Sequence, residues 1–169
     1  MKYLLIAFLM TTMSAFAGNH SHQKTESAVL EFSKGSSTLN IDQKQEIKRI
    51  FDNARLKGKE LDLGMVVWAD EPFPGPGKSL SDSQQKIAVQ RIEAIKAYIK
   101  TLKVNFDDMN TYSMAKSPNW FSRVFETKES QLKSMISSSD ANTKLMKEEF
   151  QVYKDNGAPS KAIITVALD

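Results

Sequence analysis

Few side chains in this 169-residue sequence are of the types that usually carry out catalysis. There is no cysteine, which excludes disulfides, thiolate metal sites and cysteine nucleophiles. Both histidines, His20 and His22, lie near the N-terminus, and no nucleophile elbow, phosphate-binding loop or metal-binding helix motif is found. The adjacent carboxylates at 107–108 and 148–149 fit a solvated surface better than acid–base catalysis. The sequence therefore predicts a protein that is not an enzyme and that needs no cofactor.

The N-terminal histidines could bind a metal if the chain is cleaved after Ala17. Such cleavage exposes Gly18, Asn19 and His20 as a free N-terminus. The α-amine, two backbone amides and the His20 imidazole then form a square-planar set of nitrogens, a geometry that Cu(II) and Ni(II) favour. The alternative, which we prefer, is a polar tail that matches this short motif by chance.

Residues 1–17 have the three parts of a secretory signal peptide. Lys2 is positively charged, residues 3–10 are apolar, and residues 15–17 (Ala-Phe-Ala) form a small-residue cleavage pattern. The apolar run is too short for a membrane-spanning helix, so we expect no transmembrane segment in the mature chain. Export of a cysteine-free chain fits a bacterial periplasm. Without Lys2, 22 basic residues face 20 acidic ones with no long basic block, so nucleic acid is not expected as a partner.

Strands and helices alternate along the rest of the chain. Residues 18–27 are expected to form a flexible tail, and strands are predicted at 28–33, 61–69, 109–115 and 161–168. Helices are predicted at 41–57, from Ser81 to about Leu102, at 119–137 and at 141–155. Asn40 with Gln43, and Ser81 with Gln84, have the spacing of capping boxes. The order β-α-β-α-β-α-α-β predicts an α/β fold, an α+β sandwich with helices packed on a mixed four-stranded sheet.

Three segments match the motifs of a known family in their order and spacing. Residues 29–32 (Val-Leu-Glu-Phe) lead to a Ser-x-x-Leu turn at 36–39, and a second strand ends at Asp70. Residues 91–99 (Arg-Ile-Glu-Ala-Ile-Lys-Ala-Tyr-Ile) are similar to the family helix Arg-Ala-x-x-Val-x-x-Tyr-Leu. In these features residues 28–118, together with the last strand, resemble the OmpA-like domain, a peptidoglycan-binding module of Gram-negative envelopes. We therefore interpret residues 28–169 as one divergent OmpA-like domain.

The resemblance implies a binding function for Asp70 and Arg91. In the family, the matching pair grips the diaminopimelate of the peptidoglycan stem, whose side chain ends in an ammonium and a carboxylate. A carboxylate and a guanidinium at a fixed separation bind such a zwitterion with two charge-assisted contacts. We expect both side chains to face one solvent-open pocket, with Phe73 at its rim. The alternative is that Asp70 only ends a strand and that Arg91 is a solvated helix residue.

The sequence also departs from the family pattern. Residues 67–70 read Val-Trp-Ala-Asp in place of Gly-His-Thr-Asp, and extra residues precede Arg91. A second register would put Gln84 at the arginine position, seven residues earlier and on nearly the same helix face. The Asn-Arg-Arg segment before the last strand is missing, with Ser160 and Lys161 near its place, and helices around 119–157 form an insertion.

These observations leave three functions open. The first is a periplasmic, outer-membrane-associated module that binds peptidoglycan without catalysis. The second is an OmpA-like scaffold that has lost the ligand and binds an envelope protein partner, a reading favoured by the missing Asn-Arg-Arg. The third is binding of Cu(II) or Ni(II) by the N-terminal tail.

Overall fold

The computed structural model describes most of the chain beyond the tail, and its residue ranges are 25–56, 61–75, 77–104, 106, 108–117, 128–137 and 148–168. The predicted signal peptide, the tripeptide Gly18-Asn19-His20 and the first half of the predicted helix at 119–137 lie outside these ranges. No helix within these described ranges is both long enough and apolar enough to cross a membrane.

The described part of the chain contains the predicted elements in the predicted order. They are β1 (Thr25–Glu31), α1 (Ile41–Arg55), β2 (Leu61–Val67), α2 (Asp82–Thr101), β3 (Asp108–Ser113), α3 (Lys128–Ser137), α4 (Glu148–Asn156) and β4 (Lys161–Leu168). The strands form one sheet in the order β1-β4-β2-β3. Strand β4 is antiparallel to both its neighbours, whereas β2 and β3 are parallel. The prediction of helices on a mixed four-stranded sheet is confirmed.

The first strand begins earlier than the hydrophobic pattern indicates. Residues 25–27 are expected from the sequence to belong to the tail. They pair instead with Ala167, Val166 and Thr165 of β4. These three residues are polar, and they lie on an edge strand where backbone pairing does not require an apolar side chain. Strand membership here depends on a long-range partner, which local sequence does not reveal.

Helices cover both faces of the sheet. Side chains alternate along its central strands, so these strands present apolar residues to both faces. On β2, Leu63, Met65 and Val67 point toward α1 and α2, while Val66 points to the opposite face. The first face carries the buried stripe of α2, which includes the predicted Ala88, Ile92, Ile95 and Ile99. The second face forms a smaller cluster with α3 and α4, whose buried members are Val66, Trp68, Met114, Leu132, Tyr153 and Ile163. Helices α3 and α4 thus complete a three-layer structure.

One of the two predicted capping boxes is present. The Asn40 side chain accepts a hydrogen bond from the Gln43 N–H at 2.8 Å, and Gln43 Oε1 accepts one from the Asn40 N–H at 2.7 Å. Ser81 does precede α2, but its side chain makes no capping bond. The predicted box at Ser81 and Gln84 is therefore wrong. The side-chain oxygen Oε1 of Gln84 accepts a hydrogen bond from the Asp70 backbone N–H instead.

The close approach of α4 to the sheet requires a glycine on β2. The Tyr153 hydroxyl lies 2.5 Å from Thr165 Oγ1, directly over Gly64. A Cβ at position 64 would overlap the tyrosine hydroxyl and come within 2.6 Å of the threonine oxygen. A larger residue at position 64 would therefore push α4 away from the sheet.

We expect Gly64→Ala to lower the free energy of unfolding by about 1–3 kcal/mol, the usual cost of overpacking a core. Urea denaturation of the purified protein measures this loss. Adding Tyr153→Phe removes the overlapping hydroxyl, so the double variant should recover part of the stability. Losses that simply add in the double variant would contradict this explanation.

Candidate functional site

The two charged residues that the sequence singles out are in direct contact. Asp70 lies just beyond the end of β2, and Arg91 lies in the middle of α2. The distance from Arg91 Nη2 to Asp70 Oδ1 is 2.5 Å. The fold therefore brings together the pair that the family resemblance predicts, although 21 residues separate them in sequence.

Backbone pairing beyond β2 sets the position of Asp70. The Trp68 N–H donates to Lys161 O at 2.9 Å, and the Ser160 N–H donates to Ala69 O at 2.6 Å. These bonds continue the pairing of β2 with β4 past the last strand residue. Arg91 is placed by its neighbour Ile92, whose side chain packs into the core between α2 and the sheet.

The pair is buried, which corrects the expectation of a solvent-open pocket. The side chain of Arg91 is 0% exposed and that of Asp70 is 2% exposed. Arg91 reaches the interior because its guanidinium finds backbone carbonyls as well as a carboxylate. Its Nε donates to Ser36 O at 2.9 Å, its Nη1 to Trp68 O at 2.8 Å and its Nη2 to Ser33 O at 3.4 Å. The alternative of a solvated arginine is wrong for the same reason.

The Asp70 carboxylate accepts hydrogen bonds from two further segments. The Gly35 N–H donates to Oδ2 at 2.6 Å, and the Ser160 hydroxyl donates to Oδ1 at 2.8 Å. Gly35 has a φ of 75°, a left-handed conformation that glycine adopts without penalty and that helps shape the turn after β1. The carboxylate therefore joins that turn, α2 and the residue that precedes β4.

These contacts decide the protonation of Asp70. Burial alone would raise the pKa of its carboxyl. The hydrogen bonds from Arg91, Gly35 and Ser160, together with the arginine charge, outweigh burial and hold the pKa below its ordinary value. Asp70 is therefore ionised at neutral pH, as an ion pair with Arg91 requires.

The two registers considered for the family arginine both lead to Asp70. Arg91 contacts the carboxylate, whereas Gln84 Oε1 accepts from the Asp70 backbone N–H at 2.9 Å. The seven-residue spacing puts both on one side of α2, as expected. Phe73 is half-buried and packs against the cluster on the α3–α4 face.

Two contact residues, Gly35 and Ser160, were not singled out as site residues by the sequence. Gly35 contributes a backbone amide, which no side-chain pattern can indicate. Ser160 stands near the place of the missing Asn-Arg-Arg segment, and this position was the available signal. In the part of the chain that the structure describes, no three His, Asp or Glu side chains group as metal ligands. The tail metal site remains a prediction outside those residues.

As it stands, the site is a buried ionic cross-link between four segments. Removing one partner of a buried ion pair leaves an uncompensated charge, which commonly costs about 3–5 kcal/mol. The arrangement can hold the two turns, the end of β2 and α2 together. It could bind an external zwitterion only after some of these internal contacts are exchanged for contacts to the ligand.

We expect Arg91→Met to lower the free energy of unfolding by about 3–5 kcal/mol, because it leaves the Asp70 charge and several backbone carbonyls without their hydrogen-bond donor. Lys48→Met is the matched control, since Lys48 pairs with Asp52 on the surface at side-chain exposures of 57% and 42%. That control should cost less than about 1 kcal/mol. Chemical denaturation measures both, and equal losses would contradict a framework role for the pair.

The stability contributed by Asp70 should depend on pH in a defined direction. Its folded-state pKa lies below the ordinary 3.8, so the contribution is complete above that value and is lost as the pH falls through the folded-state pKa. The difference in unfolding free energy between wild type and Asp70→Asn should be constant near neutral pH. It should shrink below about pH 4. A difference that grows on acidification would contradict the assigned pKa direction.

The chain was compared with protein families, curated proteins and solved structures. No protein-family model matches the chain. No curated protein matches it either. Among solved structures, the chain is similar to the OmpA-like domain of FopA1 from Francisella tularensis subsp. tularensis SCHU S4, with 12% identity and a TM-score of 0.45. The likeness covers 88% of this chain and 75% of that one. At this TM-score, the likeness carries no ligand, residue role or function over to the chain.

Proposed function

We propose that the chain is a non-enzymatic OmpA-like module of the periplasm that has kept the charge pair as part of its framework and acts by binding another envelope protein. The observation that carries this proposal is the burial of Asp70 and Arg91 at 2% and 0% exposure. The periplasmic location in the proposal derives from the signal-peptide pattern of residues 1–17.

The hydrogen bonds of Arg91 support a framework role. A guanidinium has five N–H donors, and four hydrogen bonds of Arg91 go to other parts of the same chain. Three of the four acceptors are backbone carbonyls, which a ligand carboxylate could replace only by moving the turn at 33–36 or the end of β2. A site that awaits an anion would instead leave donors directed toward solvent.

The donors around Asp70 support the same conclusion. A ligand ammonium would have to donate to its carboxylate, and three internal donors, from Arg91, Gly35 and Ser160, already do so. Because the donor to Oδ2 is the Gly35 backbone amide at 2.6 Å, a ligand ammonium would have to share that oxygen with the turn or displace the turn. The protein thus already supplies the contacts that a zwitterion would make.

A second candidate is non-covalent binding of the peptidoglycan stem at the same pair. The contact of Asp70 with Arg91 favours it, since the resemblance assigns this pair to the ligand, and Gln84, which takes the arginine position in the second register, also contacts Asp70. The turn residues beside them, Lys34 and Gly35, are exposed. Displacement of this turn by a stem peptide would present opposite charges to the ammonium and the carboxylate of diaminopimelate.

Sedimentation with purified sacculi distinguishes the two candidates. The framework proposal predicts that the mature protein sediments no more than a non-binding control protein. Strong sedimentation that Asp70→Asn abolishes would contradict it and support the peptidoglycan candidate. Asp52→Asn is the matched control, because Asp52 is a carboxylate of the α1 surface that pairs with Lys48. Folding of each variant is first checked by circular dichroism, so that a loss of binding is not a loss of structure.

A further inference from the structure

Ser160 has a backbone conformation that its residue type does not favour. Its φ is 61°, in the left-handed region, and Lys103 is the other non-glycine residue with positive φ in the described part of the chain. Glycine adopts this region freely, and asparagine and aspartate are enriched there because their side chains form local hydrogen bonds. Serine at such a position carries a cost in backbone energy, which other contacts of the residue must offset.

Two backbone bonds hold Ser160 in place. Its N–H donates to Ala69 O at 2.6 Å, and its carbonyl accepts from the Phe32 N–H at 2.7 Å. It therefore bridges the chain just beyond β1 and the chain just beyond β2, immediately before β4 begins. These two bonds use only backbone atoms, so any residue that tolerates the conformation could make them.

The side chain adds the contact that is specific to serine. The Ser160 hydroxyl donates to Asp70 Oδ1 at 2.8 Å, on the same oxygen that accepts from Arg91 Nη2. With Gly35 on the other oxygen, three donors from three segments fix the plane of the carboxylate. The hydroxyl is the one of these donors that a substitution can remove while leaving the ion pair itself intact.

We propose that Ser160 is a positioning residue, held in a left-handed turn so that its hydroxyl fixes the Asp70 carboxylate on the Arg91 guanidinium and keeps the pair closed. The inference rests on the proposed function, in which the pair is internal. It adds that Ser160, the residue before the last strand, helps to close the pair. Arg91 of α2 is the charged group that acts on Asp70 among the described residues, while the turn after β1 and the residue before β4 contribute the uncharged Gly35 and Ser160.

Three substitutions separate the hydroxyl from the backbone conformation. Ser160→Gly removes the donor and relieves the backbone, Ser160→Ala removes the donor alone, and Ser160→Asn keeps a side-chain donor and tolerates positive φ. In each variant, NMR titration gives the pKa of the Asp70 carboxyl. The exchange rate of the Arg91 Nη2–H, the group that donates to Asp70, reports how often the pair opens.

The glycine and alanine variants should both shift the Asp70 pKa upward and accelerate exchange of the Arg91 Nη2–H, whatever their stability. The asparagine variant should restore both values at least in part. A merely structural serine would change stability without moving the Asp70 pKa, so an Asp70 titration in Ser160→Gly identical to wild type overturns the inference. Failure of the asparagine variant to restore either value would also overturn it.

These measurements use the protein without any ligand. Their outcome can therefore contradict the role of Ser160 without contradicting the proposed function. Wild-type protein that sediments with sacculi would contradict the framework proposal and leave the role of Ser160 standing. Unchanged titration in Ser160→Gly, with no sedimentation of the wild type, would remove the role of Ser160 alone.

Discussion

The structure depends on burying the side chains of two opposite charges, Arg91 and Asp70, against each other. Burying either charge alone would be prohibitive, and even a matched pair repays desolvation only with good geometry and satisfied hydrogen bonds. Asp70 and Arg91 meet both conditions through the carbonyls of Ser33, Ser36 and Trp68 and the donors Gly35 and Ser160. The surrounding loops are therefore constrained by electrostatics as well as by apolar packing, because each supplies a polar group that the pair needs.

The layers around the sheet help to enclose the side chains of the pair. Strand β2 leads to Asp70 with apolar residues on both faces, and each face is covered by helices. The ring of Phe32 lies 4.8 Å from the guanidinium carbon of Arg91 and adds a cation–π contact to the enclosure. Helices α3 and α4 cover the far face, where Trp68 packs with Tyr153 of α4. They thus contribute to the core on the side of the sheet opposite α1 and α2.

Local sequence predicts the fold class, the element order and the meeting of Asp70 with Arg91, because these follow from periodicity and from the spacing of a family motif. The capping box at Asn40 follows from residue types alone. Gln84 shows the limit, since the same spacing fits a helix cap, and tertiary structure directs its side chain to Asp70 instead. The burial of the pair could not be predicted, because it depends on backbone groups from segments remote in sequence. Thr25 to Ser27 join the sheet for a similar reason, as partners of the last strand.

The position of β4 has a consequence for how the chain acquires its structure. This strand is the last element in sequence, yet it lies between β1 and β2, so no ordered sheet containing β1 can exist before it is added. Nearly the whole polypeptide must be available for the first and last strands to pair, and such distant closures slow folding. Until β4 docks, β2 and β3 can pair with each other but β1 has no strand partner, so the docking of β4 is the step that joins β1 to the sheet.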